Sequence, residues 1–526
     1  KIDSLDMNIY YKNGDIGLAL ELEPIDVSTK STEELNQIDE ALKNLICSLP
    51  EKSQLQFVLE NKVNAYETLR EKHKNLSVKG ASPLSLSLLD NRLKTLQKKE
   101  STGAFLATKI ISFVRIPFNK TSRKKSFFRG LIFNDKAIKD SHEKDFQATN
   151  LQVIRFQNEI KSLFSSSGIN TTFLNKEEIE REIFSYWNPS LKDYSFDILS
   201  DQAPLEKKLL KSDIEISKDH FVVGSKFCSF LSFPEVPELS FSTMGAYFHG
   251  IPPNVKLFFS LHIPEQLPEN EKLERQRRVA FSMFSGKTGA KDIESEAKLE
   301  DTEDALSRVL RDSEKVLYNS ISFLVTENSL EELQYTKKNL WSFIRASFGI
   351  DPIIESLANF ELFLENAPPN AHSKSRELRT LSSVSAKLLP PLGAWTGHKN
   401  PSVLLPTTKS KLIGFNPFDP SLQNYNQLVS GSSGAGKSYL SNQILLQYMI
   451  QKPKIYIIDV GGSYKKLCEN LGGQYIPFEL DSGIQINPFD LATGETTPSE
   501  HQKKFLSSFI ELITKEAVSY THLTLP

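Results

Sequence analysis

The sequence predicts a chain of mixed class, α/β and α+β, with an amino-terminal α+β region over residues 1–390 followed by part of a P-loop NTPase domain over 391–516. Three observations carry this. Strand-period and helix-period runs alternate through the opening segment, a Pro- and Gly-rich stretch runs from Leu388 to Asp419, and a glycine-rich octapeptide lies between a short apolar run and a helical one.

Each element follows from local chemistry. Ile16, Leu18, Leu20 and Leu22 alternate with the period of a strand. Ser31 and Glu34 form a capping box ahead of Leu35, Ile38, Leu42, Leu45 and Leu49, which recur at helical spacing until Pro50 stops the helix. Strand-like runs at Leu55–Leu59 and Ile110–Ile116 complete a βαβ beginning to the domain. Phe146, Val153, Ile160 and Phe164 predict a helix over 143–164 that ends near Gly168. The runs around Phe221–Leu231 and Val255–Ile263 are expected to pair across a Pro-containing loop, and a subdivision of the region is expected near residue 200.

Glu271–Leu317 mixes acidic and basic residues as on a solvated helical arm, exposed or facing a partner. Ser320–Val325 is strand-like, and Ser329 with Glu332 makes a second capping box before Leu330, Leu333, Leu340 and Phe343. Residues 368–375 read as a loop, and the domain boundary is placed near residue 390.

With 526 residues the chain exceeds one hydrophobic core, and roughly two to four domains are expected. A net charge of −2 predicts no global attraction to nucleic acid or anionic lipid, so any such binding must come from a local patch. Cys47, Cys228 and Cys468 lie too far apart in sequence for zinc or dithiol spacing and read as reduced thiols of a cytosolic protein. No apolar run approaches the roughly twenty residues that cross a bilayer. Both ends look artificial: Lys1 stands where an initiator Met is expected, and Ala517–Pro526 resembles the translation of a sequencing adaptor, so a different native continuation is expected after about Glu516.

Gly431-Ser432-Ser433-Gly434-Ala435-Gly436-Lys437-Ser438 matches G-x-x-x-x-G-K-[ST] at every fixed position. Gln427, Leu428 and Val429 predict a strand before it. Tyr439, Leu440, Ile444, Leu445 and Tyr448 predict a helix with one apolar stripe after it. Glycines let successive amides turn toward phosphate oxygens, and the helix brings its unpaired N–H groups to the same anion. Lys437 is then expected to reach the β- and γ-phosphates of ATP as the catalytic lysine, and Ser438 to hold Mg²⁺, with the loop and Tyr439 completing the nucleotide contacts.

Gly286-Lys287-Thr288 shares the motif's last letters but has Phe281 in place of the first glycine, and is read as a loop or helix interruption. Asp459 ends the apolar run Ile455–Ile458 in the manner of a Walker B strand. Val460 follows it rather than Glu, and the spacing from Lys437 allows only one helix and one turn, so a loop cap or a secondary nucleotide contact is preferred. Arg123, Lys124, Lys125 and Arg129 around Phe127 and Phe128 are read as a solvated loop in preference to a nucleic-acid or lipid contact. Neither an H-x-x-x-H pair nor a G-x-S-x-G elbow occurs.

The segment from Asn424 to Ser438 resembles the TraC-type ATPases of conjugative type IV secretion systems, as do Ile457–Leu467, Leu471–Tyr475 and Ile486–Phe489. Gly14–Gly17, Leu49–Pro50, Trp187–Pro189 and Leu389–Leu392 are similar to that family less distinctively. The resemblance implies a cytoplasmic, Mg²⁺-dependent ATPase, commonly a homo-hexamer. It would dock peripherally at the bacterial inner membrane with other type IV secretion components and energise pilus assembly or substrate transfer, with direct DNA contact left open. It also implies a RecA-like motor domain whose Walker B Asp-Glu pair and arginine finger would lie beyond this chain, leaving the fragment itself inactive. A HerA-like DNA-translocating motor and a nucleotide-binding assembly platform without turnover are the rival readings.

Overall fold

The computed structural model describes residues 2–5, 7–28, 30–63, 66–77, 83–117, 153–191, 209–237, 240–285, 293–369, 374–395, 397–398, 400–407, 411–477, 487–491 and 496–514. The basic-aromatic group at 123–129, the 286–288 tripeptide, Ile486, the start of the helix expected from 143 and the segment 517–526 lie outside them. The chain divides into two compact units, Lys1–Leu428 with Gln447–Pro453, and Val429–Leu446 with Lys454–Pro526.

Among the described residues the first unit is organised by a 13-stranded sheet. Ten strands make its continuous path: β1 (Ile2–Leu5), β2 (Ile9–Tyr11), β3 (Ile16–Leu22), β4 (Gln54–Lys62), β5 (Ala107–Ile116), β6 (Ile214–Ile216), β7 (Phe221–Val223), β8 (Lys226–Ser232), β9 (Val255–His262) and β10 (Val316–Glu327). Their order is β1-β2-β3-β5-β4-β9-β10-β8-β7-β6, antiparallel throughout. Thr171–Phe173 pairs with β3, Ile353–Ile354 with β8 and Leu378–Leu381 with β10.

The opening β-α-β is split. β3 and β4 flank β5, so Val114 pairs with Leu18 on one side and Leu55 on the other. One expectation is corrected here. The runs 221–231 and 255–263 do not pair, because β10 lies between them and Phe323 faces Leu231 on one side and Leu257 on the other. A 12-residue strand buried almost throughout fills its backbone donors and acceptors from both edges, which a direct β8–β9 pairing would not allow. The sheet runs across residue 200, with β4 from one side of it paired to β9 from the other.

Both sheet faces are covered, and side chains sort between them with period two. Leu18, Phe57, Phe259 and Phe323 join a core under the helices Thr32–Ser48 and Leu330–Phe348 and the helix over 153–166. Ala19, Val58, Phe258 and Leu324 point the other way, against the helices Lys176–Trp187 and Asn359–Glu365. Tyr186 stacks on Phe363 there, with centroids 4.7 Å apart, and its hydroxyl donates to the Phe363 carbonyl at 2.6 Å.

The capping box at Ser31 is complete: its Oγ accepts from Glu34 N, and Glu34 accepts from Ser31 N at 2.9 Å. The one expected at Ser329 is half formed, since Glu332 turns its carboxylate to Asn328 N instead. A further complete box, Asn175 with Glu178, starts the helix Lys176–Trp187.

The helical arm consists of Gln266–Ser285 packed on Ile293–Arg311. It ends before Leu317, because Val316 and Leu317 are already buried in β10. A third core joins the helix Pro83–Ser101 to the hairpin Val403–Pro406/Leu412–Phe415 through Leu89, Leu93, Phe105, Leu404, Leu412 and Ile450. The hairpin belongs to the first unit. Among the described residues no helix is long and apolar enough to cross a membrane, and no group of His, Cys, Asp and Glu is placed to hold a metal ion.

Candidate nucleotide site

The loop Gly431–Ser438 belongs to the second unit and runs directly into the helix Lys437–Tyr448. Gly434 and Gly436 take φ of 78° and 90°, in the left-handed region that side-chain-bearing residues avoid. A Cβ on either would meet nothing within 4 Å, so backbone conformation rather than crowding selects glycine. Ala435 N–H closes the turn on the Ser432 carbonyl at 3.2 Å, and Leu440 N–H donates to the Gly436 carbonyl at 2.9 Å as the helix begins.

Lys437 folds back over this loop. Its Nζ donates to the carbonyls of Gly431 at 2.7 Å and Ser432 at 2.8 Å, so the ammonium is anchored on the same residues that build the turn. The first helical turn carries no acidic residue of its own beside the lysine charge and the positive end of the helix dipole. Gly431 to Gly436, Ser438 and Tyr439 are exposed, with Tyr439 at 71 %. A cation, two glycines in left-handed conformation and an accessible helix N-terminus make a donor set that fits the phosphates of a nucleotide, and the Ser438 hydroxyl is an oxygen ligand suited to Mg²⁺.

Three expectations around the loop are corrected. Neither 427–429 nor 455–458 has a strand partner among the described residues, and Leu428, Tyr456 and Ile458 stand 94 %, 90 % and 99 % exposed. An apolar run becomes a strand only where a neighbour takes its backbone N–H and C=O groups, and none does so here. The helix also lacks a single apolar stripe. Tyr439 and Leu440 are exposed, whereas Gln447 is 3 % exposed near its end, where Oε1 accepts from Leu404 N in the first unit's third core.

Asp459 caps a turn. Its Oδ2 accepts from Tyr464 N–H at 2.8 Å across Gly461 and Gly462, whose φ values are 113° and 72°, and the helix Lys465–Asn470 follows. Sequence reasoning missed Asn442, whose amide donates to the Ser438 carbonyl at 2.9 Å and to the Ser463 carbonyl at 3.4 Å. Its place four residues after Ser438, on the same helix face, was the available signal.

Comparison with known proteins bears on the same segment. Residues 414–522 match the model of the TraG P-loop domain. The chain is 33 % identical over 107 residues to Protein TraC of Escherichia coli (strain K12), a match covering 20 % of this chain and 12 % of that protein. It is 26 % identical over 260 residues to the second segment of the probable conjugal transfer protein TrbE of Sinorhizobium fredii (strain NBRC 101917 / NGR234), covering 46 % of this chain and 39 % of that protein. The chain thus spans well under half the length of either curated relative. Residues 414–522, which hold the P-loop described above, are thus similar to the TraG P-loop domain, and the chain is similar over part of its length to two proteins of conjugal transfer.

Proposed function

We propose that the chain binds Mg²⁺-ATP over Gly431–Tyr439 and that, in the intact protein, hydrolysis of the β–γ bond energises type IV secretion, driving conjugative pilus assembly and DNA transfer. The observation that carries this reading is the Lys437 ammonium resting on the Gly431 and Ser432 carbonyls beside two glycines of positive φ. Bound nucleotide supplies the transferable phosphoryl group, and Mg²⁺ supplies charge neutralisation.

The chain's own residues do the positioning. The amides of the 431–438 loop orient the phosphate oxygens, and the Ser438 hydroxyl holds the metal. Lys437, released from its loop carbonyls, places its charge where negative charge builds in the transition state. The protein works as a homo-hexamer on the cytoplasmic face of the bacterial inner membrane, with other secretion components as partners. That assembly rests on the family resemblance.

Lys437→Ala in the intact protein tests the assignment. ATP turnover and DNA transfer should fall to background while the thermal unfolding midpoint is retained. Hydrolysis at the parent rate in that variant would overturn it.

A further inference from the structure

One side chain joins the nucleotide loop to the turn that follows it in the second unit. Asn442 Nδ2 donates to the Ser438 carbonyl at 2.9 Å and to the Ser463 carbonyl at 3.4 Å. An amide nitrogen carries two hydrogens and can serve two acceptors at once. Both partners are carbonyl oxygens, so only the nitrogen end of the amide can face them, and Oδ1 is buried with no donor among the described residues. The first of these bonds is a familiar return to the carbonyl one turn earlier on the helix. The second leaves the helix altogether.

The residues it joins have distinct tasks. Ser438 is the residue whose hydroxyl suits a metal, and its carbonyl lies in the first turn of the helix. Ser463 lies in a turn already closed on itself by Asp459 Oδ2 and Tyr464 N–H at 2.8 Å, with Gly461 and Gly462 supplying the left-handed backbone and Lys465–Asn470 following as a helix. One amide thereby connects the Ser438 carbonyl to a closed ring, and a helix follows the ring.

We propose that Asn442 is a positioning residue of the nucleotide site, holding the Asp459–Tyr464 turn beside Ser438 so that nucleotide occupancy is transmitted to that turn. The inference rests on the reading of Gly431–Ser438 as the phosphate-binding loop. Asn442 itself touches neither phosphate nor metal. Its role is to make Asp459–Tyr464 respond when Ser438 is engaged.

Amide hydrogen exchange of the intact protein, with and without Mg²⁺-ATP, tests it. In the parent, nucleotide should slow exchange at 434–438 and also at 460–466. Asn442→Asp keeps the shape of the side chain but has no N–H to give, so it should retain the slowing at 434–438 and lose it at 460–466. Asn442→Gln, which keeps the amide donor, should recover some of the second effect. Slowing at both segments in Asn442→Asp would overturn the proposal, as would a parent in which only 434–438 responds. A parent with no response at 434–438 would remove the nucleotide reading, and this inference with it.

Discussion

The backbone N–H of Leu404 donates to Oε1 of Gln447 at 2.9 Å, a bond within the third core of the first unit. Both residues are buried, at 0 % and 3 % exposure. Gln447→Ala would leave that amide without its acceptor, at a cost of about 1–3 kcal/mol. Urea unfolding followed by hydrogen exchange over 403–415 should show the loss concentrated in this hairpin. No change in stability would mean that Leu404 N–H finds another acceptor.

Arg70 and Glu100 form an ion pair, 5 % and 0 % exposed. Glu100 also accepts from Tyr66 N at 3.2 Å. Arg70→Met strands a buried carboxylate and should destabilise the protein by roughly 3–5 kcal/mol, whereas the double substitution Arg70→Met/Glu100→Leu should recover much of that loss. A double-mutant cycle by chemical denaturation checks this, and additive single effects would count against the pair.

Glu60 sits among Lys62, Lys256 and Lys109 on the sheet, with Lys256 Nζ 3.3 Å from its carboxylate. Burial acts to raise its pKa, but the three lysines outweigh burial and hold it at about 2, below the ordinary 4.5. An acid with a folded-state pKa below its unfolded value stabilises the fold above the unfolded pKa, and that contribution disappears as pH falls through the folded pKa. The contribution is roughly 3 kcal/mol at neutral pH, lost between about pH 4.5 and pH 2. Glu60→Gln should flatten the acid limb of a stability-versus-pH curve in that window. Parallel curves for parent and variant would contradict the assignment.

Gly434→Ala and Gly436→Ala place a side chain on backbone with φ of 78° and 90° where nothing crowds it. The strain is conformational, of order 1–2 kcal/mol. It falls on an exposed loop, so the unfolding midpoint should stay put while Mg²⁺-ATP affinity, measured by calorimetric titration, drops about tenfold or more as the amides turn away. Parent-like affinity would show that left-handed glycines are dispensable to the loop.

Local chemistry was readable along the chain. Ser31 with Glu34, the alternation at Ile16–Leu22 and the glycines at 434 and 436 each specify backbone geometry within a few residues, and the structure follows them. The half-formed box at Ser329 shows the limit of such reading, since one neighbouring N–H was enough to draw Glu332 away. The Asn175–Glu178 box was equally local but went unread.

Pairing at a distance was decided only in three dimensions. Nothing in the composition of Phe221–Leu231 or Val255–Ile263 announces that β10 comes between them, because alternating apolar strands are interchangeable until all of them compete for the same edges. The same holds for Gln447, which sequence places on a polar helix position and folding buries against Leu404, and for Asn442, whose second acceptor is 21 residues away. Residues close in sequence meet at little entropic cost and show their geometry in their identities. Partners brought together by folding are chosen by burial and by the requirement that each buried backbone group be satisfied, and that choice is made only when the whole sheet is assembled.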